Sequence, residues 1–380
     1  MENKIVIIAS HATFTRNGKY VYGIGSTIGD FLKDKEIKYF FIKHPLFGGA
    51  PSLIESYVKG IVSRERLDFN NSVFLPLRAL QELKITFRVL NEIKKPINLF
   101  IGIDPLNAFY GLLAKRLGKI ERVIFYTADY AIKRFNNPLT NWIYHWFDKC
   151  AIKKADEVWN VSTRITELRR RQGVQENKNF FVPNSPEFNK IKRLDFNKIN
   201  KHDLVCVSNF TDAIDFSLTI RAIKKLSERY PDIKLLLIGG GKIQKELEEL
   251  TKKLNIKKNV LFLGRMEHKK VLEILPHCAV GIALYTEECA WTKFGDSIKI
   301  REYLACGLPI IMTGIPSTAD DIKRAQVGYV VKLEEEEFTK AIEEMFDNEE
   351  KYKELKNNAI NLAQKFDITK ILERLLIESM

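Results

Sequence analysis

The sequence of 380 residues is poor in the residues that build disulfide and metal sites. It contains five cysteines and six histidines, and no two cysteines stand in a Cys-x-x-Cys spacing. An odd number of scattered cysteines argues against a disulfide framework and a structural zinc site, so we expect reduced, buried thiols. The chain also has no Asp-x-Asp triplet. A metal ion held between paired aspartates is therefore not expected, and we predict no metal site.

Long apolar segments are missing as well. No apolar run approaches the roughly 18 residues that a membrane-spanning helix needs. The first nine residues, MENKIVIIA, are too few for a signal peptide and predict a first strand instead. We therefore expect a cytoplasmic protein without a membrane-spanning helix.

Acidic residues are scarce in the first half of the chain. Residues 1–190 contain 30 Lys and Arg against 18 Asp and Glu, and the remaining residues are nearly balanced in charge. A basic excess confined to one half indicates an anionic partner for that half, such as a membrane surface, an acidic acceptor or a nucleic acid. We favour an anionic membrane surface over a nucleic acid. A solvated basic surface without a partner is the alternative.

Two segments of the first half combine basic residues with apolar or aromatic ones. Residues 77–95 predict an amphipathic, basic helix, and residues 139–171 mix Trp142 and Trp146 with several lysines and arginines. Both compositions suit the interface of a membrane. A helix packed on a protein core produces the same amphipathic pattern.

Short apolar runs alternate with helical patterns along the whole chain, which predicts α/β domains with parallel sheets covered by helices on both faces. A turn-rich and then Lys/Asn-rich stretch at 183–203 predicts a linker between a domain of residues 1–185 and a domain of residues 200–366. The runs typical of strands are 5–9, 39–43, 99–103, 122–127 and 155–162 in the first half, and 204–208, 233–239, 260–264, 280–285 and 310–312 in the second.

Residues 295–314 predict a loop, a short helix and a buried strand. Ser297 is a good N-cap, because its hydroxyl can accept a hydrogen bond from a first-turn amide. Gly307 fits the C-cap, and Pro309 cannot continue the helix. Residues 310–312 are apolar, as in a strand buried on both faces.

Lys299 and Glu302 are three residues apart and therefore lie on one face of this helix. Free amides at a helix N-terminus together with a lysine make an anion site. A carboxylate one turn further along can accept hydrogen bonds from both hydroxyls of a ribose. The pattern thus suits a nucleotide, although a surface helix with an ordinary ion pair would show the same spacing.

The segment Lys-x-x-Glu-Tyr-Leu-Ala-Cys-Gly-Leu-Pro at 299–309 resembles the donor-binding motif of retaining GT-B glycosyltransferases, family 4 in particular. The resemblance is strong over 204–365 and diffuse over 1–185. It implies that Glu302 binds the ribose of a nucleotide sugar and that Lys299 binds its diphosphate. The second glutamate that the family often carries eight residues earlier is Phe294 here, so that sugar contact is not carried over.

The sequence departs from the family at the diphosphate. Two basic residues usually follow the first strand of the second domain, but Asn209 and Ile214 stand in their places. Lys299, together with Arg301 and the helix amides, then has to hold the anion.

Glycine turns at strand ends complete the predicted donor site. Gly239 and Gly240 end the strand at 233–239, where glycine lets a nucleotide approach the backbone closely. Arg265 follows the next strand, where the resembling family holds the base. In the first half, the turn Asn17-Gly18 occupies the place of the family's Gly-Gly loop, and Gly18 is a further donor-binding candidate.

Two strand ends of the first half carry polar candidates. Asp129 follows the strand at 122–127 and could orient a sugar hydroxyl or cap the next turn. Tyr126 is a neighbouring candidate. No histidine lies between residues 125 and 130, so the sequence gives no support for a histidine-based mechanism there. Asn107 follows the strand at 99–103, and we interpret it as the N-cap of the next helix; an acceptor contact, together with Asp104, is the alternative.

The resemblance implies a GT-B fold, with two Rossmann-like doubly wound domains facing a cleft and the segment 367–380 packing back on the first domain. It implies a hexosyltransferase-type enzyme that moves a sugar from a nucleotide sugar to a glycan or lipid-linked acceptor with retention, without another cofactor. A non-catalytic binding protein and a sugar-nucleotide epimerase are the alternatives. The predicted catalytic residues are Asp129 and Lys299, and the predicted donor-binding residues are Gly18, Gly239, Gly240, Arg265, Ser297, Lys299 and Glu302.

Overall fold

In the computed structural model of the chain, the described residues are 4–13, 20, 22–46, 51–67, 75–288 and 292–377. They divide into two compact units. Unit 1 comprises Met1–Val182 and Leu372–Met380, and unit 2 comprises Pro183–Ile371. The division falls at the start of the Pro183-Asn184-Ser185-Pro186 turn cluster.

Unit 1 alternates strands and helices over most of its length. Its strands are β1 (Ile5–Ala12), β2 (Lys38–Pro45), β3 (Ser52–Val58), β4 (Ile61–Leu67), β5 (Ile97–Ile103), β6 (Ile120–Thr127), β7 (Glu157–Asn160) and β8 (Asn179–Phe181). Its helices are α1 (Ile24–Asp34), α2 (Leu75–Glu92), α3 (Pro105–Arg116), α4 (Pro138–Lys154) and α5 (Thr163–Arg171), with a π-helical segment at Glu373–Ile377.

Within the described residues these strands form one sheet in the order β4-β3-β2-β1-β5-β6-β7-β8. All neighbours are parallel except β2 with β3 and β3 with β4. The sequence analysis predicted the parallel part of this sheet and missed the antiparallel hairpin, which makes the sheet mixed. Lys59 and Gly60 both have positive φ, as a tight two-residue hairpin turn requires. The exposed edge strand β4 alternates charged residues, which discourages edge pairing with another chain.

The core of unit 1 lies between the central strands and their helices. Helix α3 approaches β5 so closely that a Cβ on Gly102 would lie 2.3 Å from the Cα of Ala108. The segment 155–162, predicted as a strand, contains β7, and the short strand β8 follows and pairs with it.

Unit 2 repeats the alternation with a sheet that is parallel throughout its described strands. The strands are β9 (Asp203–Asn209), β10 (Lys234–Gly240), β11 (Val260–Gly264), β12 (Val280–Ala283), β13 (Ile310–Thr313) and β14 (Gly328–Val331). The helices are α6 (Phe216–Arg229), α7 (Gln244–Lys253), α8 (His268–Ile274), α9 (Ile298–Cys306), α10 (Thr318–Ala325), α11 (Glu335–Asp347), α12 (Glu349–Lys365) and α13 (Ile368–Leu372).

In the strand order β11-β10-β9-β12-β13-β14, the chain adds β10 and β11 on one side of β9 and then continues with β12 on the other side. The order of strand addition therefore reverses between β9 and β12, although the two strands are parallel. Connections diverge at such a point, and the crevice beyond the carboxyl ends of the strands is where α/β sheets bind ligands. The strands predicted in this half are confirmed near their predicted bounds. No helix in the described part of the chain is long and apolar enough to cross a membrane.

Helix α9 is fixed to this sheet by Tyr303. Its side chain is fully buried, and its hydroxyl accepts a hydrogen bond from the Val207 amide at 2.7 Å. A Cβ on Gly281 would lie 2.4 Å from the ring, so β12 needs glycine beneath it. Gly307 ends the helix in the left-handed conformation with φ of 79°, which confirms the predicted C-cap.

Candidate functional site

The candidate site in unit 2 lies where β9, β10 and β11 end. In the parallel register Gly239 pairs with Ser208 and Gly240 pairs with Asn209, so the two strands end side by side. The side chain of Lys299, from the first turn of α9, reaches Ser208 at this edge. The edge therefore collects side chains from separate parts of the sequence around one helix N-terminus.

Lys299 is a partly buried cation without a carboxylate partner. Its Nζ donates to Ser208 Oγ at 3.2 Å, and no ion pair joins it to any Asp or Glu among the described residues. Burial lowers the pKa of the Lys299 amine, because removing the charge from water disfavours the protonated form. A desolvated cation with no carboxylate within ion-pair distance is costly, so this arrangement favours an anionic ligand.

Glu302 lies one turn further along α9 and is almost completely buried. Its Oε1 is 2.5 Å from Nε2 of His268, the first residue of α8. The hydrogen bond to Glu302 raises the pKa of His268, although partial burial opposes the rise. Glu302 is therefore paired with a histidine and not with Lys299.

Arg301 does not take part in an anion site, so the expectation that it helps Lys299 to hold a diphosphate was wrong. Its buried guanidinium donates to Asp296 at 3.0 Å and to Asp321 at 2.8 Å. Burial, supported by the nearby Asp321, raises the pKa of Asp296 to about 6 in spite of Arg301. This is a cation already neutralised inside the unit, and it ties the loop before α9 to α10.

Ser297 occupies the N-cap position of α9, but its hydroxyl forms no capping hydrogen bond. The predicted capping contact was therefore wrong. Within the described residues, the amides of Ile298 and Lys299 donate no hydrogen bond, as is usual for the first amides of a helix. Two N–H groups thus remain available beside the Lys299 amine.

The glycine turn after β10 is required mainly by the protein backbone. Gly239 has φ of 143°, and a Cβ there would lie 1.8 Å from the carbonyl oxygen of Ser208. At Gly241 a Cβ would lie 2.2 Å from the carbonyl oxygen of Phe210. Only at Gly240 are the nearest atoms side chains, among them that of Arg265, whose guanidinium donates to the Gly240 carbonyl at 2.9 Å.

The two positions that are basic in the resembling family have different surroundings here. Ile214 is a core residue with 4% of its surface exposed, and its backbone bridges to Tyr285. Asn209 is exposed at the end of β9. Ile214 is therefore part of the packing of unit 2, and neither of the two positions supplies a cation to this edge.

In unit 1 the equivalent edge holds a cluster that the sequence analysis missed. His11, at the end of β1, lies 2.8 Å from Asp104 and 3.1 Å from the buried Glu82. Burial lowers the pKa of His11, but Asp104 and Glu82 outweigh it and raise the pKa to about 10. Glu82 also accepts hydrogen bonds from Arg78 at 3.3 Å and Tyr110 at 3.1 Å. The charges of Glu82 and Asp104 are therefore compensated within the cluster by His11 and Arg78.

Asp104, and not Asn107, is the N-cap of α3, so that interpretation was wrong. The Asp104 carboxylate accepts hydrogen bonds from the amides of Leu106 at 3.1 Å and Asn107 at 3.0 Å. Its φ of 90° is a conformation that residues with side chains rarely adopt. Pro105 takes the first helical position and places Asn107 inside the helix, fully buried.

The remaining candidates of unit 1 are less informative. Asp129 follows β6, is half exposed and accepts a hydrogen bond from Arg134 at 2.8 Å. Tyr126 is fully buried and its hydroxyl donates to the carbonyl of Val182 at 2.8 Å, which is a structural role. Gly18 lies outside the described residues.

The sequence analysis missed His11 in unit 1 and His268 in unit 2 for the same reason. His11 meets partners 71 and 93 residues away, and His268 meets a partner 34 residues away. The available signal was position alone, since each histidine stands at or just after the end of a predicted strand. Polar residues there converge at one edge of a parallel sheet.

Comparison with known proteins gives the edge in unit 2 a context. Residues 188–362, somewhat under half of the chain, match the model of the family described as glycosyl transferases group 1. An uncharacterized glycosyltransferase of Methanocaldococcus jannaschii is 27% identical over 285 residues, which is 69% of this chain and 67% of that protein. The N-acetylgalactosamine-N,N'-diacetylbacillosaminyl-diphospho-undecaprenol 4-alpha-N-acetylgalactosaminyltransferase of Campylobacter jejuni is 25% identical over 309 residues, 77% of this chain and 80% of that protein.

Two other curated relatives are matched over only 40% and 38% of their own length. Among solved structures, HepE of Anabaena in complex with UDP is similar over 99% of both chains, with a TM-score of 0.68 at 14% identity. The fold is therefore the predicted two-domain GT-B fold, and unit 2 contains the whole segment that matches the family model.

Proposed function

We propose that this chain is a hexosyltransferase-type glycosyltransferase that moves a sugar from a nucleoside-diphosphate sugar to an acceptor with retention of configuration. The observation that carries the proposal is Lys299, a desolvated ammonium with no ion pair to the described carboxylates, beside two unbonded amides of α9. This is the chemistry that a diphosphate completes. The match of residues 188–362 to glycosyl transferases group 1 supports it.

Each residue of the edge has a role in this proposal. Lys299 and the first amides of α9 hold the diphosphate and stabilise the negative charge that develops on the leaving group. Glu302 accepts hydrogen bonds from the ribose hydroxyls. Gly240 and Arg265, together at the end of β10, lie on the side of the base.

Retention and the sugar contacts rest on the resemblance of the 299–309 segment. Asp129 remains the proposed residue of unit 1 that orients a sugar hydroxyl. The Asp129→Asn variant keeps the size of the side chain and should slow transfer without changing nucleotide affinity. The anomeric configuration of the initial product, followed by NMR, tests retention directly.

The proposed acceptor is a lipid-linked glycan or a polysaccharide precursor at an anionic membrane. The Campylobacter jejuni relative carries a diphospho-undecaprenol-linked substrate in its name. The basic excess of residues 1–190 suits such an acceptor and the surface that holds it.

Helix α4 is the part of unit 1 that best fits a membrane surface. Leu139, Trp142, Ile143 and Trp146 recur at helical spacing, and 64%, 64%, 39% and 45% of their surfaces are exposed. Exposed tryptophans are unusual on a surface that meets only water, and they are typical of membrane interfaces.

The charges around this face agree with an anionic lipid surface. Residues 130–147 contain no Asp or Glu, and Lys133 and Lys149 are exposed near the two ends of the apolar stripe. Lysines that flank an apolar stripe contribute about 1 kcal/mol each near an anionic surface. We therefore propose peripheral attachment through α4.

The experiment that tests the donor site is calorimetric titration of UDP, GDP, ADP, CDP and TDP into the protein, its Glu302→Ala variant and a control variant. Glu228→Ala is a suitable control, because Glu228 is an exposed glutamate in the last turn of α6, and this helix runs away from the carboxyl edge of the sheet. We expect one nucleotide to bind selectively and the Glu302→Ala variant alone to lose that binding.

The other outcomes favour the alternatives. Absence of binding by a folded protein would contradict the proposed donor site and leave a binding or scaffold role. Binding followed by conversion of the nucleotide sugar without any acceptor would favour an epimerase.

A further inference from the structure

We propose that His268 is a positioning residue for the nucleotide ribose, which acts by fixing the Glu302 carboxylate through one oxygen and leaving the other for the ribose hydroxyls. The inference rests on the proposed donor site, because it assigns a partner to the residue that binds the ribose there. Neither the sequence motif nor the comparisons point to His268.

The geometry gives this histidine control of the carboxylate. His268 Nε2 is 2.5 Å from Glu302 Oε1, and no other hydrogen bond reaches this carboxylate from the described part of the chain. Each carboxylate oxygen has two lone pairs, so Oε2 retains its full capacity to accept hydrogen bonds. Without His268 the carboxylate would be buried with no protein partner to set its rotation.

The two side chains differ in exposure in a way that fits a ligand-facing pair. Only 3% of the Glu302 side chain is exposed, whereas 50% of the His268 side chain is exposed. The histidine therefore lies on the solvent side of the carboxylate, where a nucleotide has to arrive. His268 also begins α8, four residues after Gly264 ends β11, and thus belongs to the same edge as Arg265.

The pairing also explains why Lys299 keeps its charge available. Lys299 and Glu302 are three residues apart on α9, a spacing at which an ion pair is common. In the structure the carboxylate is taken by His268 and Lys299 turns to Ser208. Because His268 pairs with Glu302, the Glu302 carboxylate serves the hydroxyl groups and the Lys299 ammonium serves the phosphate.

The test compares two ligands in four proteins by calorimetry. The ligands are the ribonucleoside diphosphate that binds most tightly among UDP, GDP, ADP and CDP, and its 2′,3′-dideoxy analogue. The proteins are wild type, His268→Ala, His268→Gln and His277→Ala. His277 is an exposed histidine three residues past the end of α8 and serves as the matched control.

We expect wild type to prefer the ribonucleotide, and His268→Ala to reduce that preference by about tenfold, the value of one hydrogen bond to a charged group. His268→Gln should restore part of the preference, because its amide can donate to the same oxygen. His277→Ala should match wild type.

Two results would overturn the inference while leaving the donor site intact. One is a loss of affinity in His268→Ala that is equal for both ligands, which would indicate a general structural role. The other is an unchanged preference for the ribonucleotide in His268→Ala. If wild type binds none of the four ribonucleotides, the proposed function itself fails and this inference fails with it.

Discussion

The carboxyl edges of the two sheets carry similar residues, but they differ in whether the charges are paired with opposite charges. In unit 1, His11 lies between Asp104 and Glu82, and Glu82 also accepts from Arg78. In unit 2, Lys299 has no ion pair to the carboxylates of the described chain. Compensated charges hold a fold together, whereas an uncompensated one at a strand edge indicates a ligand.

Helix α9 contains both kinds of cation two residues apart. Arg301 is enclosed by Asp296 and Asp321, whereas Lys299 donates to the Ser208 hydroxyl and forms no ion pair with a described carboxylate. The difference follows from helical geometry, because residues two apart point to different sides of a helix. One side of α9 therefore serves the fold and the other serves the proposed diphosphate.

Replacing Arg301 should give the largest effect on stability. The Arg301→Met variant leaves Asp296 and Asp321 buried without their counter-charge, so we expect a loss of about 3–5 kcal/mol in the free energy of unfolding. Urea denaturation followed by circular dichroism measures it. The Arg301→Lys variant keeps the charge, so its free energy of unfolding should lie between those of wild type and Arg301→Met. A change below about 1 kcal/mol in Arg301→Met would show that this cation is not structural.

Replacing Lys299 should preserve the stability of the fold and impair sugar transfer. The Lys299→Met variant removes a desolvated charge without a counter-charge, so its free energy of unfolding should equal or exceed that of wild type. Its rate of sugar transfer should fall by about 10²–10³-fold, because the leaving group loses its stabilising charge. Transfer assays and urea denaturation of the same preparation check both expectations. Destabilisation comparable to that of Arg301→Met would erase the distinction between the two cations.

The compensated cluster of unit 1 predicts a pH dependence of stability. The pKa of His11 is raised to about 10 in the folded state, above its ordinary value of 6.5. Its stabilising contribution is therefore complete below pH 6.5 and disappears as the pH rises through 10. We expect a loss on the order of 2 kcal/mol in unfolding free energy between pH 7 and pH 10.

Urea denaturation of wild type and His11→Leu at both pH values isolates this contribution. The variant should be less stable than wild type at pH 7, and the gap between the two proteins should narrow at pH 10. A gap that is the same at both pH values would mean that His11 is not a charged member of the cluster.

The smallest expected effect concerns the surface of unit 1. Replacing both Trp142 and Trp146 by serine removes exposed apolar area and should weaken binding to vesicles that contain phosphatidylglycerol by about tenfold. Co-sedimentation measures the bound fraction, with Leu117→Ser as a control because Leu117 is 64% exposed on another part of unit 1. Equal binding to vesicles of pure phosphatidylcholine would contradict an anionic surface as the partner.

Local signals in the sequence were sufficient to predict helix α9 and the strand β13 that follows it. The helix begins after Ser297 and ends at Gly307 as predicted, although only Gly307 adopts the predicted cap geometry and the Ser297 hydroxyl forms no capping hydrogen bond. The GT-B fold was also predictable, from alternating patterns and the motif at 299–309. The hairpin of β3 and β4 was missed, since residues 61–67 contain four consecutive polar residues and gave no apolar run to detect.

Pairings across the sequence were not predictable. Arg301 appeared available for an anion because its partner Asp321 lies 20 residues further along the chain. His268 gave no signal for the same reason, since only the folded sheet brings it to Glu302. The face of a helix follows from spacing, but the group that meets that face depends on topology.

The most direct test of the account concerns what Lys299 binds. A nucleoside, its monophosphate and its diphosphate, with the base selected by the first titration, are titrated into wild type and Lys299→Met. The account predicts that affinity in wild type rises with each phosphate and that Lys299→Met loses this gain while binding the nucleoside as before. Equal weakening for all three ligands, or a retained gain with phosphate, would contradict the assignment of Lys299 as the diphosphate-binding cation.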